Sequence, residues 1–375
     1  LKQLARIYIN GRFLTQPMTG VQRYAVELMH HFDALLETEV FDPRIELICL
    51  IPDREPPSFS WKNVAVRSIG NFSGNIWEQF ELPLYLNGQF LFSPANIGPW
   101  HYPNQVVTLH DASVFAIPQA YSFAFRVKYK FIFNQLAKRA ALLLTDSEFS
   151  RQELAHYLEI APQRFLIVPL GSDHLGEVQS DQNILKKNIL KTGSYLLLVA
   201  SHSPHKNYHA AVQAVRTIDR TIKLVSVGGS YHRVFKKTNL MDASSHMLNL
   251  GYVSDQELKA LYENALGFIA PSLYEGFGLP VLEAMRLGCP VISSHAASLP
   301  EVAGDAALYF DPHKISSITK AVEILLSNPD LRENLRQKGY RQAEKFTWAA
   351  SAKAILGILH KVYKMIYLDG CHLIE

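Results

Sequence analysis

Short apolar runs alternate along the chain with amphipathic stretches, the pattern of parallel α/β layers. In the first half, residues 7–9, 45–51, 64–69, 90–93, 106–109, 141–145 and 165–168 read as strands, with helices filling the gaps. A helical pattern follows Gly20 and runs to about Leu36. The polar stretch 174–192 reads as a linker. Beyond it come a strand over 195–200, a helix from Asn207, a strand over 222–227 ending in Gly228-Gly229, and a strand near 247–250. Ser254 then caps a helix, and 265–270 reads as a buried strand. Helices over about 315–326 and 330–345 precede a long amphipathic one from Trp348 to about Tyr367.

The densest chemistry follows the strand over 265–270, in Pro271-Ser272-Leu273-Tyr274-Glu275-Gly276-Phe277-Gly278-Leu279-Pro280-Val281-Leu282-Glu283-Ala284-Met285. Pro280 suits a first helical position and Gly288 with Cys289-Pro290 suits a stop, so the unit reads as strand, glycine loop and short helix. Gly276 and Gly278 let backbone approach a ligand, and the free amides of the helix start, across Gly276, Phe277, Gly278 and Leu279, attract an anion. Two carboxylates frame that phosphate seat: Glu275 in the loop and Glu283, which reads as part of the first helical turn. One would meet sugar hydroxyls while the other accepts from a ribose. Taken alone the loop is ordinary, since a Glu in a first turn is common capping and Val281 stands where a dinucleotide fingerprint has its third glycine.

The run resembles the Glu-x7-Glu motif of the retaining glycosyltransferases of family 4. The likeness continues through Arg286-Leu287-Gly288-Cys289-Pro290-Val291-Ile292-Ser293 and Ser298-Leu299-Pro300-Glu301-Val302-Ala303-Gly304-Asp305-Ala306-Ala307. That resemblance implies the GT-B fold: two Rossmann-like α/β domains facing each other across a cleft, the second binding a nucleotide-sugar and the first an acceptor. On this reading the domains are 1–173 and 193–346, joined by the linker 174–192, and the helix in 347–375 crosses back to the first. The run from Leu273 to Asp311 looks most like bacterial mannosyltransferases of polysaccharide and lipopolysaccharide assembly. The implied reaction is transfer of a hexose, mannose from GDP-mannose, to a glycan or lipid-linked acceptor. A UDP-sugar is the runner-up donor; a sugar-nucleotide 2-epimerase and a two-domain binding protein without catalysis are the rivals.

Other positions acquire roles through the same resemblance. Val106-Val107-Thr108-Leu109-His110-Asp111 puts a histidine and an aspartate at the carboxyl end of a strand, the functional edge of a parallel sheet. A His-Asp pair in a loop is by itself a turn or cap; the family likeness assigns His110 to sugar contact and transition-state support, with Asp111 positioning it or the acceptor. Gly20, at a strand-to-helix turn, offers amides to a phosphate. In Ser201-His202-Ser203-Pro204-His205-Lys206-Asn207 the family often has Arg-Lys-Asn; this chain has His205 in place of the Arg, leaving Lys206 as the main cation for the diphosphate beside Asn207. Val253, in the loop before the Ser254 cap, and Gly228 are implied nucleoside contacts.

Composition narrows the partners. The 375 residues are 48% hydrophobic and 19% charged, with a net charge of +3, which suits anionic ligands and makes no case for a nucleic-acid partner. No two aspartates stand two positions apart, so the metal clamp of the other major glycosyltransferase fold is missing, and the expectation is no metal and no cofactor, the nucleotide-sugar being a co-substrate. Cys49, Cys289 and Cys371 show no metal-ligand spacing, and their odd number points to a reducing cytoplasm. No apolar run approaches the ~20 residues that span a bilayer. The stretch 123–133, with Arg126, Lys128 and Lys130 among aromatics and Lys138 and Arg139 beyond, reads either as a helix lying on an anionic membrane at the inner face or as one packing its aromatic stripe inward.

Overall fold

The computed structural model describes residues 5–38, 45–53, 60–200, 203–218, 222–229 and 247–368. The chain divides into two compact units, one of Leu1–Ala112, Val127–Leu170 and Trp348–Glu375, the other of Ser113–Arg126 and Gly171–Thr347.

The first unit holds a seven-stranded parallel sheet of β1 (Ala5–Asn10), β2 (Ile45–Pro52), β3 (Ala65–Ile69), β4 (Phe90–Ser93), β5 (Gln105–Thr108), β6 (Leu142–Thr145) and β7 (Phe165–Ile167). Their order is β3-β2-β1-β4-β5-β6-β7. Inner strands such as β4 and β5 are buried throughout, because helices cover both faces of a parallel sheet, whereas the edge strand β3 exposes Arg67 and Ser68. The helix Gly20–Leu36 packs on the final helix Trp348–Tyr367, whose Trp348, Ile355, Leu356 and Leu359 are fully buried. Burial of that apolar face explains why the last helix groups with the first unit.

The second unit holds a six-stranded parallel sheet of β8 (Tyr195–Val199), β9 (Lys223–Val227), β10 (Met247–Asn249), β11 (Gly267–Ala270), β12 (Val291–Ser294) and β13 (Ala307–Phe310), ordered β10-β9-β8-β11-β12-β13. Its core joins Leu196, Leu198, Ile269 and Ile292 of the sheet to Val215, Val322 and Leu325 of covering helices. Strands β12 and β13 carry no assignment in the sequence reading.

Two expectations need correcting. The stretch 174–192 is more than a connection: His174–Glu177 and Asn183–Lys187 are helical, and Leu175, Ile184, Leu185 and Leu190 are buried. The two short helices pack against the helix Asp255–Asn264. In the central unit the helix spans Leu279–Arg286 with Gly278 as its cap, so Pro280 is second in it and Glu283 lies beyond the first turn.

Each sheet reverses its strand order once, between β1 and β4 and between β8 and β11. The carboxyl ends of the strands beside such a reversal are where open α/β sheets bind ligands.

Candidate active site

In the second unit the loops leaving β8 and β11, on either side of the reversal, converge. Lys206 Nζ donates to both carboxylate oxygens of Glu275 at 2.7 Å, and Ser272 Oγ donates to Oε1 at 2.6 Å. Burial works against ionisation of Glu275, but Lys206 and the Ser272 hydrogen bond outweigh it and hold the carboxyl below its ordinary range. Ser298 Oγ lies 2.9 Å from the carbonyl oxygens of both Glu275 and Phe277, pinning the glycine loop. Gly278 adopts φ +103°, which favours glycine, and a Cβ there would press on Leu299 Cδ2 at 2.6 Å. Among the described residues the amides of Phe277, Gly278 and Leu279 meet no acceptor in the protein. A fixed set of N–H groups at a helix start, with an ammonium beside it, is an anion seat.

Its neighbours tune this arrangement. His205 is pushed down to about 3 by burial and by Lys206, so it stays neutral, with Nδ1 2.7 Å from Ser203 Oγ. Among the described residues of this loop, Lys206 is accordingly the cation. Asn207 takes the left-handed conformation, φ +52°, and spends its side-chain amide on Pro312 O at 2.8 Å, so it shapes the turn that presents Lys206. Ser201 and His202 lie outside the described residues.

The expected nucleoside residues differ in their contacts. Gly228 N donates to Gly251 O at 2.8 Å, which brings the end of β9 to the loop carrying Val253, and the Tyr252 ring lies against Gly229. Glu283 is instead buried, accepting from Tyr262 Oη at 3.0 Å and standing 3.3 Å from His174 Nε2.

In the first unit His110 follows β5 and is buried. Its Nδ1 lies 2.6 Å from Asp146 Oδ2, its Nε2 lies 3.0 Å from Pro94 O, and the Tyr24 ring meets it edge-on at 4.6 Å. A carboxylate and a carbonyl both accept, so the imidazole keeps a proton on each nitrogen. Burial opposes that charge, but the Asp146 carboxylate and its hydrogen bond prevail and raise His110 above its ordinary value. The residue that positions His110 is therefore Asp146, at the end of β6, and not Asp111. Asp111 is half-buried, and its charge raises His110 as well. Gly20 is the first residue of its helix, with open space where a Cβ would stand.

Sequence reasoning missed a buried polar cluster beside the β1–β4 reversal. Glu78 accepts from Asn10 Nδ2 at 2.9 Å, from Arg12 Nη1 at 2.6 Å and from Gln79 Nε2 at 3.2 Å. Lys128, pushed down to about 8 by burial and by Arg12, stands close to it. The π turn Trp77–Glu81 that carries Glu78 has no signature in residue spacing. Among the described residues no group of three His, Cys, Asp or Glu side chains is placed to hold a metal ion.

Residues 179–342 match the family model described as "Glycosyl transferases group 1". The chain is 29% identical over 363 residues to the O-antigen chain mannosyltransferase B of Escherichia coli, an alignment covering 88% of this chain and 93% of that one. It is 30% identical over 238 residues to the serotype-specific mannosyltransferase WbdA of Escherichia coli, covering 60% of this chain and 29% of that protein. Among solved structures, sucrose-phosphate synthase from Thermosynechococcus elongatus superposes with a TM-score of 0.74 at 16% identity, over 96% of this chain and 99% of its own. That likeness concerns the fold, which is GT-B with two Rossmann-like domains, as expected.

Proposed function

We propose that this chain, a glycosyltransferase whose residues 179–342 form a glycosyl transferases group 1 domain, is a retaining, metal-independent enzyme that moves mannose from GDP-mannose to a glycan or lipid-linked acceptor of cell-surface polysaccharide. The observation that carries the reading is the convergence of Lys206, Glu275 and the Phe277–Leu279 amides at the reversal of the second sheet.

The chemistry follows from charge. As the glycosidic bond to the nucleotide breaks, negative charge accumulates on the departing diphosphate, and pre-aimed amides with one ammonium lower that barrier. Lys206 turns from Glu275 toward the diphosphate, and the released carboxylate oxygens of Glu275 accept sugar hydroxyls. An ionised Glu275 engaged by a lysine and a serine suits that role better than nucleophilic attack, which favours delivery of the acceptor on the leaving-group face. His110, committed through both nitrogens, supports the transition state by fixed positive charge and not by proton transfer. Glu283, beside Tyr262 and His174, would accept from the ribose. Mannose is favoured because both relatives described above are named mannosyltransferases.

A lipid-linked acceptor would bring the enzyme to the inner face of the cytoplasmic membrane. Among the described residues no helix is long and apolar enough to cross one, so on this reading the contact is peripheral.

Thermal shifts with GDP, UDP, GDP-mannose and UDP-glucose test the donor, since a ligand of the native state raises the melting temperature by mass action. GDP and GDP-mannose should stabilise, and proton NMR of the product should show an α-linked mannose. Stabilisation by UDP alone would transfer the reading to UDP-sugars. Epimerised GDP-sugar appearing without acceptor would end it.

A further inference from the structure

Exposed apolar side chains concentrate in one place on the first unit. Between Ser73 and Asn87 the chain winds through Gly74–Ile76, the π turn Trp77–Glu81 and Leu82–Leu86. Trp77, Leu82 and Leu86 face inward, packed with Tyr8, Ile48, Leu50 and Leu91. The outward side is apolar as well. Ile76, Phe80 and Leu84 stand four residues apart and are 54%, 57% and 79% exposed, and Phe72 at the approach to the helix is 55% exposed. Spacing by four aligns them in a row, where a surface helix of a globular protein ordinarily turns polar groups to water.

The row extends sideways. Trp100 N donates to Gln79 Oε1 at 3.0 Å, and the Trp100 ring meets Phe131 edge-on at 5.4 Å. Phe131 is 49% exposed, and Val127, one turn earlier on the helix Phe123–Arg139, is 51% exposed. That helix carries Lys128, Lys130, Lys138 and Arg139 in its first-unit part and not one acidic residue. On the row's own segment both acids are engaged: Glu78 within the buried cluster, and Glu81 by the amides of Asn71 and Phe72 at 2.8 and 2.9 Å. Among the described residues of these two segments, the face is therefore an apolar row beside a flank of cations, with each carboxylate already engaged. A glycan would need hydrogen-bonding groups along the row, which it lacks. An anionic bilayer matches both parts, its acyl boundary taking the row and its phosphates the cations.

We propose that this face docks the first unit on an anionic bilayer, with Ile76, Phe80 and Leu84 entering the headgroup boundary and Lys130, Lys138 and Arg139 lying on the headgroups. The purpose rests on the transferase reading, since docking would bring the enzyme to a lipid-linked acceptor; the binding does not.

Flotation of the full chain with vesicles of phosphatidylcholine, with and without phosphatidylglycerol, tests it. The chain should float with phosphatidylglycerol vesicles, less at high salt, and hardly with phosphatidylcholine alone. Phe80→Ser/Leu84→Ser should lower partition about tenfold or more, and Lys138→Glu/Arg139→Glu should remove the dependence on phosphatidylglycerol. Both variants should keep the melting temperature and the rate of transfer to a water-soluble glycan. Unchanged partition in both overturns the proposal, as does a wild-type dimer that Phe80→Ser/Leu84→Ser converts to monomer, since a second copy would then cover the row. Vesicle binding by a chain that transfers no sugar would sustain the docking and refute the transferase reading.

Discussion

Lys206 and Glu275 neutralise each other with 19% and 16% of their side chains exposed, so either one alone is a poorly hydrated charge. The folded value of Glu275 lies below its ordinary one; the stability it contributes is present above the ordinary carboxylate range and is lost as pH falls through the folded value. Lys206→Ala removes the counter-charge and leaves the burial. It should cost about 2–3 kcal/mol in urea unfolding, start acid destabilisation at higher pH, and lower kcat/KM for transfer at least ~100-fold. Adding Glu275→Ala should recover part of the stability and none of the activity. His110 has the opposite sign. Its folded value is raised above 6.5, so its contribution is complete below that pH and is lost as pH rises through the folded value. Asp146→Asn should lower the His110 titration, followed by NMR, because burial is then opposed only by the weaker pull of Asp111 and the Pro94 carbonyl. An unchanged titration would show that Asp146 does not hold the ring.

At the scale of elements, the short helix Leu279–Arg286 shows what spacing reveals and what it hides. The glycine loop, the proline and the stop were legible, because caps and left-handed positions depend on a few adjacent residues. Which way Glu283 faces was not, since Tyr262 and His174 reach it from other elements. Likewise Lys206 and Glu275 each stood out in its own loop, whereas nothing beside Ser298 in the chain marks it as the residue that pins that loop through two carbonyl groups. Gly278→Ala should combine a strained φ with a contact on Leu299, costing about 2 kcal/mol and swinging the free amides out of line. Thermal unfolding should show the first effect, and a fall in kcat exceeding the change in KM the second.

For the molecule as a whole, the last helix completes the core of the unit that contains the first strand. Ending the chain at Thr347 strips Trp348, Leu356 and Leu359 from that core; limited proteolysis should then degrade the first unit's stretches 5–112 and 127–170 while fragments of 171–347 persist. Equal resistance of both parts would contradict the packing. The alternation of apolar runs and amphipathic stretches, the caps and the anion-seat loop were determined by the sequence alone, because each arises from neighbours within a turn or two. Tertiary structure alone decided that Asp146 and not Asp111 holds His110, that 174–192 packs as part of the second unit, that Arg12, Glu78 and Lys128 share a buried cluster, and that an apolar row faces outward. Those outcomes depend on the strand orders β3-β2-β1-β4-β5-β6-β7 and β10-β9-β8-β11-β12-β13, which bring together residues far apart in the chain. Periodicity records which face of an element is apolar and carries no record of which element will lie beside it.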